Sequence, residues 1–201
     1  MRSPREKMVV SAALLIRERG AHATAISDVL EHSGAPRGSA YHYFPGGRTQ
    51  LLCEAVDFAG EYVAAVIAGA ESGARLLDTL IDTYREQLRD SDFRAGCPVV
   101  AVAVEAGEQS DAERPVIERA AAAFDRWTDL IAQRFIADGI RRRRAAELAV
   151  LATSALEGAI VLARARRDPA PLDVVHRQLR DLLAAELAGE TAAGRKSRHD
   201  R

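Results

Sequence analysis

The residues best suited to chemistry lie close together, between residues 35 and 48. Arg37, Ser39, Tyr41, His42 and Tyr43 supply a cation, three hydroxyl groups and an imidazole. A hydrophobic core needs none of these polar groups, whereas hydrogen bonds to phosphates and to base edges use all of them. Gly34 precedes the cluster and separates two short predicted helices, which is the layout of a helix-turn-helix. The sequence therefore predicts a nucleic-acid-binding surface in this segment.

Helical spacing of apolar residues along the whole chain predicts the elements that position this cluster. Caps, prolines and glycines mark the helix ends, and no hairpin signal is present. We expect an all-α fold of about nine helices, with a three-helix helix-turn-helix head and a helical body. The predicted helices span residues 4–19, 24–33, 36–44, 48–68, 77–88, 97–105, 111–137, 143–166 and 171–187.

Segment 97–105 is the ambiguous element. Its alternating valines and alanines suit a buried strand, while Pro98 and the alanine content allow a helix. A lone strand would have no partner for its backbone, so we expect a short buried helix.

The composition favours a soluble protein of one compact domain, or of a small module fused to a larger one. The chain has 201 residues, 48% of them hydrophobic and 28% charged. No apolar run approaches the roughly 20 residues of a membrane span, and the N-terminus lacks the apolar core of a signal peptide, so we expect a cytoplasmic location. Residues 1–50 carry seven Lys or Arg and four Asp or Glu, a net +3 against −4 elsewhere. A basic head is compatible with a polyanionic partner.

Enzymatic chemistry finds no support in the residue pattern. We find no Ser/His/Asp set, no metal-ligand cluster and no phosphate-binding loop, and we expect no cofactor. An all-α enzyme is therefore the minor alternative. Cys53 and Cys97 are expected to be reduced, partly buried thiols, with a redox switch as the open alternative.

The same segment resembles the TetR family of one-component transcriptional repressors. The match is carried by Gly34, Gly38, Ser39, Tyr41, Tyr43, Phe44 and Arg48. It extends back through Gly20, Thr24, Ile26 and Val29, so that it covers about residues 5–56. The runs 45–47 and 96–100 are similar to the LmrA/YxaF-like subgroup. Ala35, Ala40 and Arg48 depart from the common family pattern, and Arg48 keeps a positive charge where lysine is usual.

The resemblance implies roles for eight residues of the head. Phosphate contacts are implied for Thr24, Tyr41, His42 and Arg48. Base contacts in the major groove are implied for Arg37, Ser39 and Tyr43, with Arg37 as the main determinant of specificity. Gly38 would let the backbone approach DNA closely. Phe44 is expected in the core of the head.

The resemblance also implies a dimer that is released from a palindromic operator by a small hydrophobic or aromatic effector. The helices near 143–166 and 172–187 would pair with those of a second copy. The implied effector contacts are Tyr62, Tyr84, Leu88, Phe93, Cys97, Val100, Phe124, Trp127 and Ile131. Glu105 and Glu157 interrupt apolar segments, and they either contact a ligand or face solvent or cap a turn.

These expectations divide the chain into a DNA-binding domain at 1–48, a ligand-binding and dimerisation domain at 49–188, and a disordered tail at 189–201. The alternative function is a degenerate helix-turn-helix protein that binds a ligand or a protein but not DNA. Steep salt dependence of duplex binding would distinguish the two.

Overall fold

The computed structural model describes residues 2–105 and 114–199 and confirms the all-α prediction. The described residues contain nine helices and no strand. They are α1 (Pro4–Arg19), α2 (Ile26–Ser33), α3 (Ser39–Tyr43), α4 (Gly47–Ala68), α5 (Gly73–Asp90), α6 (Pro98–Ala103), α7 (Arg114–Ala137), α8 (Arg142–Arg166) and α9 (Ala170–His199). The ambiguous segment is helical, as α6. The predicted start of α7 at residue 111 lies outside the described residues.

Local capping chemistry explains why α1 has the predicted ends. The Ser3 hydroxyl accepts a hydrogen bond from the Glu6 amide at 3.2 Å, and the Glu6 carboxylate accepts one from the Ser3 amide at 2.8 Å. Pro4 stands at the first helical position, where its missing N–H costs nothing. Gly20 ends the helix with a φ of 88°.

Two helices of the head begin later than predicted. α2 begins at Ile26 instead of residue 24, because the Asp28 carboxylate accepts from the Ala25 amide at 3.2 Å. α3 begins at Ser39 instead of residue 36. The Pro36 carbonyl accepts from both the amide and the hydroxyl of Ser39, at 2.9 and 2.6 Å, and so forms a turn before the helix.

Two helices of the body are longer than predicted. α5 begins at Gly73, because the Ser72 hydroxyl caps the Arg75 amide at 3.2 Å. The α9 backbone continues to His199, past the predicted end at residue 187 and through most of the predicted tail.

The chain forms two compact units. Unit 1 contains residues 1–63 and 94–125, and unit 2 contains residues 64–93 and 126–201. The predicted head therefore lies within unit 1, together with α6. The core of unit 1 includes Met8, Ile16, Val29, Phe44, Leu51 and Leu52. The core of unit 2 includes Leu76, Ile81, Leu88, Ile140, Ile160 and Leu172.

In unit 2, α9 packs against α5 and α8, and ion pairs reinforce both contacts. Arg85 on α5 donates to Asp173 on α9 at 2.6 Å, which raises the pKa of the guanidinium. The Asp78 carboxylate lies 2.8 Å from His176 Nε2. Arg144 on α8 pairs with Glu186 on α9 at 2.6 Å.

α8 combines a buried face of small residues with an exposed apolar face. Ala145, Ala149, Ala152, Ala159 and Ala163 are buried. Val150, Leu151, Val161 and Leu162 are all exposed by 46% or more. By length and composition α8 could also span a membrane, and it is the one such helix in the described part of the chain. One such helix is weak evidence for a membrane span, and α8 packs against α9 within unit 2.

Candidate nucleic-acid interface

An open groove of about 1000 Å³ follows α2, the turn after it, and α3. Its wall includes the cationic Arg37 and Arg48, the phenol of Tyr41 and one carboxylate. The lining residues are Ala25, Ile26, Ser27, Leu30, Glu31, Ala35, Arg37, Tyr41 and Arg48. The groove lies wholly within unit 1 and brings together three of the eight predicted contact residues.

The turn between α2 and α3 depends on Gly34. This residue adopts a left-handed φ of 68°, a conformation that side chains disfavour. Its amide and that of Ala35 donate to the carbonyls of Glu31 and Leu30, at 3.3 and 3.2 Å. These bonds satisfy the end of α2 and turn the chain toward α3.

α3 is a short helix with one buried and one exposed face. Ala40 and Phe44, four residues apart, are each 1% exposed and hold the helix in the core of unit 1. Tyr41 is 71% exposed, and His42 is also exposed. The half-buried Tyr43 meets the His42 ring edge-on, with centroids 5.1 Å apart. The prediction that Phe44 is a core residue is confirmed.

Arg37, Gly38 and Ser39 form the approach to α3. Arg37 and Gly38 are exposed, and a Cβ on Gly38 would meet nothing within 4 Å, so packing within the protein does not require glycine there. The Ser39 hydroxyl donates to the Pro36 carbonyl, which leaves its oxygen lone pairs for a further hydrogen bond.

Thr24 and Arg48, for which the resemblance implies phosphate contacts, form hydrogen bonds to the backbone around the loop between α1 and α2. Thr24 is 1% exposed, and its hydroxyl donates to the Gly20 carbonyl at 2.7 Å. The Thr24 hydroxyl is therefore engaged within the protein, and its contact with a phosphate stays a prediction. Arg48 donates from Nε to the Thr24 carbonyl at 2.9 Å, and from Nη2 to the Ala21 and His22 carbonyls at 2.5 and 3.2 Å. Both side chains therefore close the loop between α1 and α2.

Glu105 is one of two residues, with Glu157, for which the sequence leaves open a ligand contact or a solvent-facing or turn-capping position. Its carboxylate accepts from the Ala21 and His22 amides, so the structure supports the turn-capping alternative.

Arg5 was not singled out from the sequence. Its guanidinium lies 5.3 Å from the centre of the Phe44 ring and pairs with Glu54 at 2.7 Å. No periodicity or motif in the sequence signals the contact of Arg5 with Phe44 or its ion pair with Glu54.

The predicted effector contacts divide between the two units. In unit 1, Cys97 is buried, Val100 and Phe124 are half-buried, and Tyr62 is 53% exposed. In unit 2, Tyr84, Leu88, Trp127 and Ile131 are buried. Phe93 is half-buried, with a left-handed φ of 59°.

Unit 2 also holds a small apolar cavity of about 10 Å³, room for about one water molecule. It is lined by Leu77, Phe135, Leu148, Ala152, Leu179, Leu182 and Leu183. None of the predicted effector contacts lines this cavity. Their role stays a prediction.

Burial raises the pKa of the half-buried Cys53 thiol, although the nearby Arg119 guanidinium lowers it. Because less thiolate is then present at neutral pH, Cys53 is expected to react with iodoacetamide more slowly than an unfolded cysteine at pH 7. Its rate should still increase above a pH of about 8.5, the ordinary thiol pKa. Peptide mass spectrometry against pH measures this, with the urea-unfolded chain as control. Equal rates in both states would contradict the expectation.

Two short helices, α2 and α3, are joined by a glycine turn, and a partly cationic groove with the exposed Tyr41 on its wall runs along them. This arrangement is that of a helix-turn-helix DNA-binding protein. Family models agree with this class. Residues 9–55 match the model of bacterial regulatory proteins of the tetR family. Residues 73–178 match the C-terminal domain of LmrA/YxaF-like transcriptional regulators.

Full-length relatives support both matches. The chain is 77% identical over 189 residues to the uncharacterized HTH-type transcriptional regulator Rv0196 of Mycobacterium tuberculosis, with 93% of this chain and 97% of the relative covered. It is 31% identical to YxaF of Bacillus subtilis, with 87% and 92% covered. A TetR regulator from Legionella pneumophila has the same fold, with a TM-score of 0.79 at 18% identity over 90% of this chain and 98% of that one.

The chain belongs to the TetR family of transcriptional regulators, with an LmrA/YxaF-like C-terminal domain. It is a DNA-binding regulator and not an enzyme. Regulators of this family bind operator DNA and form dimers.

Proposed function

We propose that the protein is a repressor that binds a palindromic operator as a homodimer and leaves it when a small hydrophobic effector binds. The observation that carries the DNA contact is the exposure of Arg37 and Tyr41 beside the groove, opposite the buried Ala40 and Phe44. Arg37 reads a base edge, and Tyr41 and His42 contact phosphates. The predicted domains, 1–48 for DNA and 49–188 for effector and dimer, are part of this proposal.

The exposed apolar face of α8 supports the proposed dimer. Four aliphatic side chains, Val150, Leu151, Val161 and Leu162, face solvent in the single chain. Exposed aliphatic side chains that share one side of a helix commonly mark a protein–protein contact. Pairing of α8 and α9 with those of a second copy would bury it and give a protein with two DNA-binding helices, as a palindrome requires.

The proposed effector is small and apolar because the residues predicted to contact it are mainly aromatic and aliphatic. It acts by binding more tightly to the conformation that does not fit the operator. Repression of bacterial genes requires access to the chromosome, so we place the protein in the cytoplasm.

Selection of binding sites from random duplex DNA tests the proposal. The purified full-length protein is expected to enrich a palindrome whose half-sites are centred about 34–36 Å apart, one helical turn. Binding of the enriched duplex should weaken steeply with salt, because phosphate contacts release counterions. Absence of enrichment at low salt would contradict DNA recognition by this groove.

A further inference from the structure

Glu105, at the end of the α6 segment, holds the loop between α1 and α2. One of its carboxylate oxygens, Oε2, accepts hydrogen bonds from the backbone amides of Ala21 and His22, both at 3.0 Å. A carboxylate that accepts two backbone N–H groups forms charge-assisted bonds, which are stronger than neutral ones. The loop is thereby attached to a residue more than 80 positions away in the chain.

The α6 segment is bonded at its two ends to the last turn of α1 and to the loop that follows α1. Before the helix, the Gly96 amide donates to the Arg17 carbonyl in the last turn of α1, at 2.9 Å. Within the helix, Val99 and Val102 are fully buried where α6 packs against α1. After the helix, Glu105 holds the loop. Any displacement of α6 within unit 1 must carry this loop with it or break these bonds.

The opposite side of the same loop is held by Arg48, at the start of α4. Arg48 donates hydrogen bonds to the carbonyls of Ala21, His22 and Thr24. The Glu105 carboxylate accepts hydrogen bonds from the amides of Ala21 and His22. Two opposite charges from two elements thus fix one short backbone segment. Gly20 makes room for the carboxylate, since a Cβ there would lie 2.0 Å from Glu105 Oε1.

The loop leads directly into α2, which forms one wall of the groove with Ile26, Ser27 and Leu30. We propose that Glu105 is a positioning residue through which α6 sets the placement of α2 and α3 for operator binding. The carboxylate does not touch DNA in this role. It acts through the Ala21 and His22 amides. The inference rests on DNA binding by this groove and adds the residue that connects α6 to it.

Charge alone predicts the opposite effect of removing Glu105. A negative side chain in the DNA-binding unit repels phosphates, so its neutralisation by itself would strengthen DNA binding. Weaker operator binding after its removal therefore indicates loss of positioning. Because the two explanations predict changes of opposite sign in operator affinity, the experiment distinguishes them.

The test compares Glu105→Ala, Glu105→Asp and Glu105→Gln in the full-length protein. A single oxygen accepts both amides, so the glutamine carbonyl can replace it, whereas alanine lacks the acceptor and aspartate is one methylene shorter. Glu118→Ala, an exposed carboxylate on α7 in the same unit, is the matched control for charge. Affinities are measured for the selected operator and for a scrambled duplex of equal length, and hydrogen exchange is followed at the Ala21 and His22 amides.

We expect Glu105→Ala and Glu105→Asp to bind the operator about tenfold more weakly, with faster exchange at both amides. Binding of the scrambled duplex should stay within about twofold, and Glu105→Gln should retain wild-type affinity to within about twofold. Thermal unfolding shows whether each variant is folded, and the aspartate variant tests the same contact if alanine is not tolerated.

Equal operator affinity for the wild type, Glu105→Ala and Glu105→Asp would overturn the positioning role, even if the amides exchange faster. An equal loss on operator and scrambled duplex would also overturn it. A wild-type protein that prefers no duplex would instead contradict operator recognition itself, so the two failures are distinguishable.

Discussion

Replacement of Arg37 by alanine is expected to relax operator specificity at one base pair in each half-site. Arginine donates two parallel hydrogen bonds to guanine in the major groove, and such a contact discriminates by about 1–3 kcal/mol. Arg37 is exposed on the wall of the groove and stands immediately before Gly38, the residue that precedes α3. Repeating the site selection with Arg37→Ala should give a palindrome with one degenerate position per half.

Arg37→Lys separates geometry from charge in this experiment. Lysine keeps the cation for phosphate attraction but lacks the planar fork that matches guanine. We expect Arg37→Lys to lose the same base preference as Arg37→Ala while retaining more of its overall affinity. A selected palindrome unchanged in both variants would assign base recognition to another residue. An even loss over all sequences would make Arg37 a phosphate contact.

Replacement of Phe44 by alanine is expected to have the largest effect on stability. Its ring is 1% exposed and lies beneath the Arg5 guanidinium at 5.3 Å. Loss of a buried phenylalanine costs about 3–5 kcal/mol, a large part of the total stability of a typical domain, about 5–15 kcal/mol. Urea unfolding and amide exchange should show loss of protection in α1 to α3.

Tyr41→Ala is the matched control for Phe44→Ala. It removes an aromatic ring from α3, three positions before Phe44, at a residue that is 71% exposed. Its effect on the free energy of unfolding should stay within about 0.5 kcal/mol, while operator binding weakens. If Phe44→Ala unfolds at the same urea concentration as the wild type, the ring does not support the core of unit 1.

The helices could be predicted because each carries its own signals. The Ser3 and Glu6 capping box and Gly20 set both ends of α1. Gly34 separated α2 from α3, and Phe44 was recognisable as a core residue on a polar helix. All of these signals act over a few residues, so a single sequence contains them.

The hydrogen bonds of Arg48 are contacts that local patterns do not contain. Arg48 meets the carbonyls of a loop more than 20 positions earlier. The family resemblance gave both residues a phosphate role. The structure shows hydrogen bonds from both to the loop backbone, with Thr24 buried and Arg48 half-buried on the wall of the groove, and their phosphate role stays a prediction. Glu105 could be singled out because it interrupts an apolar segment. Its hydrogen-bond partners, the Ala21 and His22 amides, lie more than 80 positions earlier and could not be inferred from that pattern.

The attachment of α6 to the loop has a consequence for engineered regulators. A chimera that transfers residues 1–48 onto a foreign body would leave behind Gly96 and Glu105, and with them the partners of Arg17, Ala21 and His22. The chimera would bind the intended operator through α2 and α3 without the hydrogen bonds that hold the loop before α2. A transferable cassette from this protein should therefore include residues 94–105, or supply an acceptor that replaces the Glu105 carboxylate.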